Sequence, residues 1–145
     1  MNLLLDTNIL IICTQRSYSD ILNKIFDVDN DKLFISIAGL AELKSIALQN
    51  NWGAKKWLPL ENIIARSVIV EINEALLDTY MQIDAYSQRR NPFFTDYVFR
   101  TPRNMGKNDI WIASTAALLG LTLVTADNDF DHLNNIFIQI KKIYF

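Results

Sequence analysis

The sequence predicts an α/β domain built on a mainly parallel sheet. Two observations carry that expectation. Short, mostly apolar segments rich in branched or aromatic residues recur along the chain, as in strands covered on both faces. Between them lie longer stretches with helical spacing, and alternation of the two is the pattern of parallel sheets.

The elements follow in order. Strands are expected at Asn2 to Leu5, Leu33 to Ile37, Val68 to Ile72 and Leu121 to Thr125, with a fifth at Phe137 to Ile140. A first helix is expected over ILNKIF behind Ser19-Asp20, with Ser19 as its cap. LAELKSIALQ gives a second, with Leu40, Leu43, Ile46 and Ala47 on one side. Trp52 to Arg66 gives more helix, interrupted at Pro59 because proline removes a backbone donor. Glu74 to Arg89 reads as another, and Asn108 to Leu119 as the clearest, stopped by Gly120.

Bulk properties narrow the function classes. At 145 residues, half of them hydrophobic, the chain reads as one domain, 1–145, able to bury its own core. One cysteine, Cys13, forms no intrachain disulfide, which fits a reducing cytosol. With His132 the single histidine, a zinc site of the usual nitrogen and sulfur ligands is not expected. No stretch reaches the ~20 apolar residues that span a bilayer. LLL before Asp6 is too short for a signal peptide and lacks a basic leader. A cytoplasmic protein without membrane contact is expected. Charge is uneven: from Arg89 to Lys107 five basic residues face one acid, Asp96, a net +4, so the remainder carries −6 of the total −2.

The acids carry the functional signal. In open parallel sheets ligands bind beyond the carboxyl ends of the strands. Asp6 is the first residue past strand one, and Asp127 stands two past LTLVT. Asp109 begins the helix that feeds that strand, and Glu42 lies near the start of the helix after strand two. All four are expected on one rim. Clustered carboxylates cannot all stay ionised without a counter-ion. Oxygen donors without Cys or His suit Mg²⁺ or Mn²⁺, which activate water and hold phosphate oxygens during phosphodiester hydrolysis. Each acid alone has a plainer reading as a cap or a solvated helix residue, and Asp129 and Asp131 are read as solvent-facing or capping. The expectation rests on coincidence at one edge.

At these residues the chain resembles the PIN domain family, metal-dependent nucleases that include toxins of the VapC type. LLLDTNILI resembles the family's first acidic motif and ISIAGLAEL its second. GKNDIWIASTAALLGLTLVTADNDF is the most specific part, with Gly106 then Asp109, and Thr125 then Asp127 ahead of an Asp-Phe pair. The resemblance implies three α/β/α layers around a parallel sheet of about five strands, ordered 3-2-1-4-5. It implies an Mg²⁺-dependent endoribonuclease, with catalytic Asp6, Glu42, Asp109 and Asp127, and Asp6, Asp109 and Asp127 on the metal. Thr7, Asn8, Lys107 and Thr125 would support those acids or touch the phosphate. The implied substrate is RNA, tRNA or another structured RNA, and the implied partners are a cognate antitoxin and a second copy of the chain. A non-toxin nuclease of RNA processing and a catalytically silent RNA-binding or interaction protein stay open as alternatives.

Two rival folds fit less well. A haloacid dehalogenase-type enzyme wants a second Asp where Asn8 stands, and a receiver domain wants a phosphorylatable Asp where VIVEINEA offers glutamates. Less typical of the family is the stretch from Gln88 to Met105, which mixes arginines with Phe93, Phe94, Tyr97 and Phe99. Its two readings are an RNA-guiding loop, with bases stacked on the aromatics, and a loop whose aromatics pack onto the domain or a partner.

Overall fold

The computed structural model describes residues 1–15, 24–27 and 29–144. The expected helix behind Ser19 falls largely outside them. In chain order the elements are β1 (Asn2–Leu5), α1 (Thr7–Gln15), β2 (Lys32–Ser36), α2 (Ile37–Gln49), α3 (Ala54–Arg66) and β3 (Ser67–Val70). A 3-10 turn (Glu74–Leu76) then leads into α4 (Leu77–Ser87), α5 (Lys107–Leu119) and β4 (Thr122–Thr125). A second 3-10 segment (Asn128–Leu133) precedes β5 (Gln139–Lys142).

The five strands form one sheet in the order β3-β2-β1-β4-β5, with every pairing parallel, as expected. Strand periodicity divides the core. Leu3 and Leu5 of β1 face one side, with Ile9, Leu10, Leu43, Leu60 and Ile63 from α1, α2 and α3. Leu4 faces the other, with Ile83, Ile110, Ala113 and Phe130 from α4, α5 and the second 3-10 segment. Helices therefore cover both faces, which is why β1 and β2 are largely apolar rather than alternating.

Several boundaries differ from expectation. β2 ends at Ser36 because the Ser36 hydroxyl accepts the Ala38 N–H at 3.2 Å and starts α2 at once, so Ile37 is helical. β3 closes at Val70 rather than Ile72. α3 runs through Pro59 without interruption. The carbonyl left without its donor belongs to Lys55, which is exposed, so water can serve it, while buried Leu60 and Ile63 hold the helix down. The last strand lies two residues later than its apolar signal, because Phe137 packs on Tyr86 and Ile138 is buried in the core. Its own residues, QIKK, are those of a charged edge strand. Gly120 ends α5 in the left-handed conformation (φ 65°) that glycine adopts without strain.

Candidate metal centre

β1 and β4 are neighbours, but the chain leaves them in opposite directions across the sheet, β1 towards β2 and β4 towards β5. That divergence is the topological switch point of the fold, where the carboxyl ends of the strands open a crevice. Asp6 ends β1 there. Its backbone N–H still pairs with Val124 O at 3.0 Å, so the strand ladder holds it in place. Its carboxylate is buried, accepting the Thr7 N–H on Oδ1 (2.8 Å) and the Thr125 hydroxyl on Oδ2 (2.7 Å).

Thr125, at the end of β4 and fully buried, uses its hydroxyl completely. Oγ1 donates to Asp6 and accepts from Asp127 N–H at 3.0 Å and from Asn8 Nδ2 at 3.4 Å. Asn8 Oδ1 in turn accepts the Ala126 N–H at 3.3 Å, stitching α1 to the turn after β4. Thr7 packs beside Gly39 of α2, where an added Cβ would lie 3.3 Å from Thr7 Oγ1; the glycine permits that approach. Asp127 caps the second 3-10 segment, its Oδ1 accepting the Asp129 N–H at 3.0 Å.

The remaining acids arrive from the helices. Asp109 sits in the first turn of α5, and α5 starts at this rim because it runs back to feed β4. Glu42 falls in the second turn of α2, since that helix begins at Ile37. Glu42, Lys107 and Asp109 line one open cleft of about 430 Å³ with Gly106 and Asn108.

Carboxylate oxygens of Asp109, Asp127 and Asp129 lie within 4.8 Å of one another, a hard-donor set suited to a divalent cation. Asp6 stands outside that trio, with its oxygens engaged as above, but it acts on the trio through charge. Burial first, then the charges of Asp6, Asp127, Glu42 and Asp129, push the Asp109 carboxyl up to about 7. Burial raises Asp6 to about 6, against the hydrogen bonds from Thr125 and Thr7, with Asp127 and Glu42 adding repulsion. Burial and Asp127 raise Asp129 also, while Arg103 opposes the rise. The four acids singled out in the sequence thus share one electrostatic environment.

Asp129 is exposed, as expected, yet its carboxylate also belongs to the cluster. The Asp127 cap folds Asp129 back toward Asp109, and the D-x-D spacing was the available signal. Asp131 goes elsewhere, to an ion pair with Lys142, which also donates to Asp127 O at 2.7 Å. In the stretch from Gln88 to Met105 the packed reading prevails for three aromatics. Phe94, Tyr97 and Phe99 surround Tyr86 at centroid distances of 4.7, 5.2 and 5.4 Å, whereas Phe93 is 79% exposed.

The PIN domain family model matches residues 3–136. Among solved structures, the chain is similar to VapBC2 from Rickettsia felis, solved bound to a fragment of promoter DNA: 22% identity over 97% of this chain and 98% of that one, TM-score 0.72. It is similar also to VapBC-1 from nontypeable Haemophilus influenzae (23%, 98% of each chain, TM-score 0.71) and to FitAcB from Neisseria gonorrhoeae (20%, 95% of each, TM-score 0.63). At these identities the likeness establishes the fold. Comparison with curated proteins returns no match.

Proposed function

The chain belongs to the PIN domain family, and from that premise we propose that it is a divalent-metal-dependent endoribonuclease, the toxin of a bacterial toxin–antitoxin pair. The observation that carries this reading is the convergence of Asp109, Asp127 and Asp129, with their oxygens within 4.8 Å, at a rim where Asp6 and Asp109 are held reluctant to ionise. A fold gains nothing by packing repelling charges together unless a cation relieves them. The donors are oxygens throughout, which selects Mg²⁺ or Mn²⁺ over zinc.

Asp109 and Asp127 would hold the cation, with Asp6 and Asp129 beside them. When bound, it supplies Lewis acidity toward water and a phosphate oxygen. The chain's own groups do the rest. The Thr125 hydroxyl and the Thr7 N–H fix both oxygens of Asp6, and Asn8 fixes the turn that carries Asp127. Glu42, on the wall of the cleft, would take a proton from the attacking water. Lys107, exposed on the same wall, offers its ammonium to the phosphate.

The substrate class is RNA, with structured RNA such as tRNA the first choice. Relatives solved as VapBC complexes support a cognate antitoxin as partner, and we extend the reading to a homodimer acting in the cytoplasm. Incubation of the purified protein with tRNA tests the proposal. Cleavage should require Mg²⁺ or Mn²⁺, stop with EDTA and vanish in Asp6→Asn; cleavage that survives both would overturn it.

A further inference from the structure

The stretch from Gln88 to Met105 is tied down at both ends. At its start Arg90 N–H donates to Ala85 O at 2.9 Å, and Asn91 Nδ2 donates to Gln82 O at 3.0 Å. At its end Arg103 N–H donates to Ser87 O at 2.7 Å, and the Ser87 hydroxyl meets buried His132 Nε2 at 2.8 Å. With Phe94, Tyr97 and Phe99 packed around Tyr86 between these ties, the stretch is a built wall whose arginines stay outside.

Arg103 is the arginine that this wall delivers to the acidic rim. Its guanidinium lies 6.0 Å from the centroid of Phe99, whose ring is itself buried in the core, so the plane has a fixed backing. Phe99 in turn stands edge-on to His132 at 5.1 Å, in the 3-10 segment that also carries Asp129, so Arg103 lies beside that segment. Among the described residues the ion pairs are Met1–Asp31 and Lys142–Asp131, so Arg103 closes on no acid. A guanidinium brought beside carboxylates without pairing keeps its five donors for another anion. Lys107 lines the cleft with Glu42 and Asp109, so a second cation stands by the acids.

We infer that Arg103 grips a backbone phosphate of single-stranded RNA beside the acidic cluster, positioning the strand across it. This rests on the reading of the chain as an RNA-cutting enzyme and adds a residue that the acidic motifs do not contain. Arginine suits the task because its planar fork meets two phosphate oxygens at once. The same wall exposes Phe93, a ring face on which an unpaired base stacks.

The test is binding, so that it does not depend on cleavage. A fluorescein-labelled, single-stranded oligoribonucleotide of mixed sequence is titrated with full-length protein at one fixed Ca²⁺ concentration, over a series of KCl concentrations. One phosphate contact on a single strand contributes about 0.7 to the slope of log affinity against log salt. Arg103→Ala should lower the slope by about that amount, with a several-fold loss of affinity at low salt and unchanged thermal unfolding. Arg103→Lys should keep the slope and lose part of the affinity, because charge remains while the fork is gone. Lys32→Ala, at the amino end of β2 and so at the opposite end of the strands from the rim, should match the wild type. An unchanged slope in Arg103→Ala, an equal drop in Lys32→Ala, or failure of the wild type to bind the probe overturns the inference. So does a weakening confined to an acidic peptide, which would make Arg103 a protein contact. If the wild type binds the probe but leaves tRNA intact when Mg²⁺ replaces Ca²⁺, the nuclease reading fails while the Arg103 contact stands.

Discussion

Replacement of Asp109 by asparagine should make the metal-free protein more stable, and only on the alkaline side. The carboxyl ionises near 7 in the fold against 3.8 in the open chain. That difference corresponds to about 4 kcal/mol of destabilisation once the group is fully charged. Asp109 is only half-buried, and solvent screening leaves about 1–2 kcal/mol of it. The sign follows from proton counting. Between pH ~4 and ~7 the unfolded chain has released this proton and the fold retains it, so stability falls as pH rises, fully by pH ~8 and not at all below pH ~4. Asparagine removes the charge and the penalty together.

His132 works the other way in part of that window. Burial, aided by Arg103, lowers it to about 4, so the fold gains stability as pH rises from about 4 toward its ordinary value of 6.5. The difference between Asp109→Asn and wild type therefore carries the test, since His132 is common to both. Thermal unfolding followed by circular dichroism in EDTA should show the variant melting about 3–8 °C higher near pH 8 and together with the wild type near pH 4. A difference of equal size at both ends, or a variant that melts lower at the alkaline end, would refute the electrostatic account of the rim.

Two further outcomes follow from particular hydrogen bonds. Thr125→Val keeps the shape but leaves the Asp127 N–H and an oxygen of buried Asp6 without their partner, so it should cost about 2–3 kcal/mol, raise the Asp6 carboxyl further and abolish cleavage; a chemical denaturation midpoint equal to wild type would contradict this. Ser87→Ala strands the His132 Nε2 and should cost about 1–3 kcal/mol, loosening the wall that ends at Arg103; hydrogen exchange at the amides of residues 103–105 should quicken, and unchanged exchange would count against the tie.

Much of the site was legible because strand ends are legible. An apolar run that stops at an acid marks the carboxyl edge of a buried strand, and Asp6 and Asp127 both fall there. Asp109 followed from the direction of a helix bounded by two glycines. Asp129 was not legible in the same way, because its place depends on a two-residue cap at Asp127 rather than on any periodicity. The contact between Ser87 and His132, 45 residues apart, leaves no local trace, and neither does the packing of Phe94, Tyr97 and Phe99 around Tyr86. β5 was misplaced because the apolar signal belonged to Phe137 and Ile138, which fill the core, while the strand itself is polar. Pro59 misled because an exposed carbonyl near a helix start can be left to water.

The claim on which the account turns is that this rim holds a divalent cation. Anomalous scattering from crystals grown with Mn²⁺ tests it most directly. The account predicts a manganese peak in the cleft, bound by oxygens of Asp109 and Asp127 and weakened in Asp109→Asn crystals. A cleft free of manganese at saturating Mn²⁺, with Asp109, Asp127 and Asp129 turned apart, would contradict it.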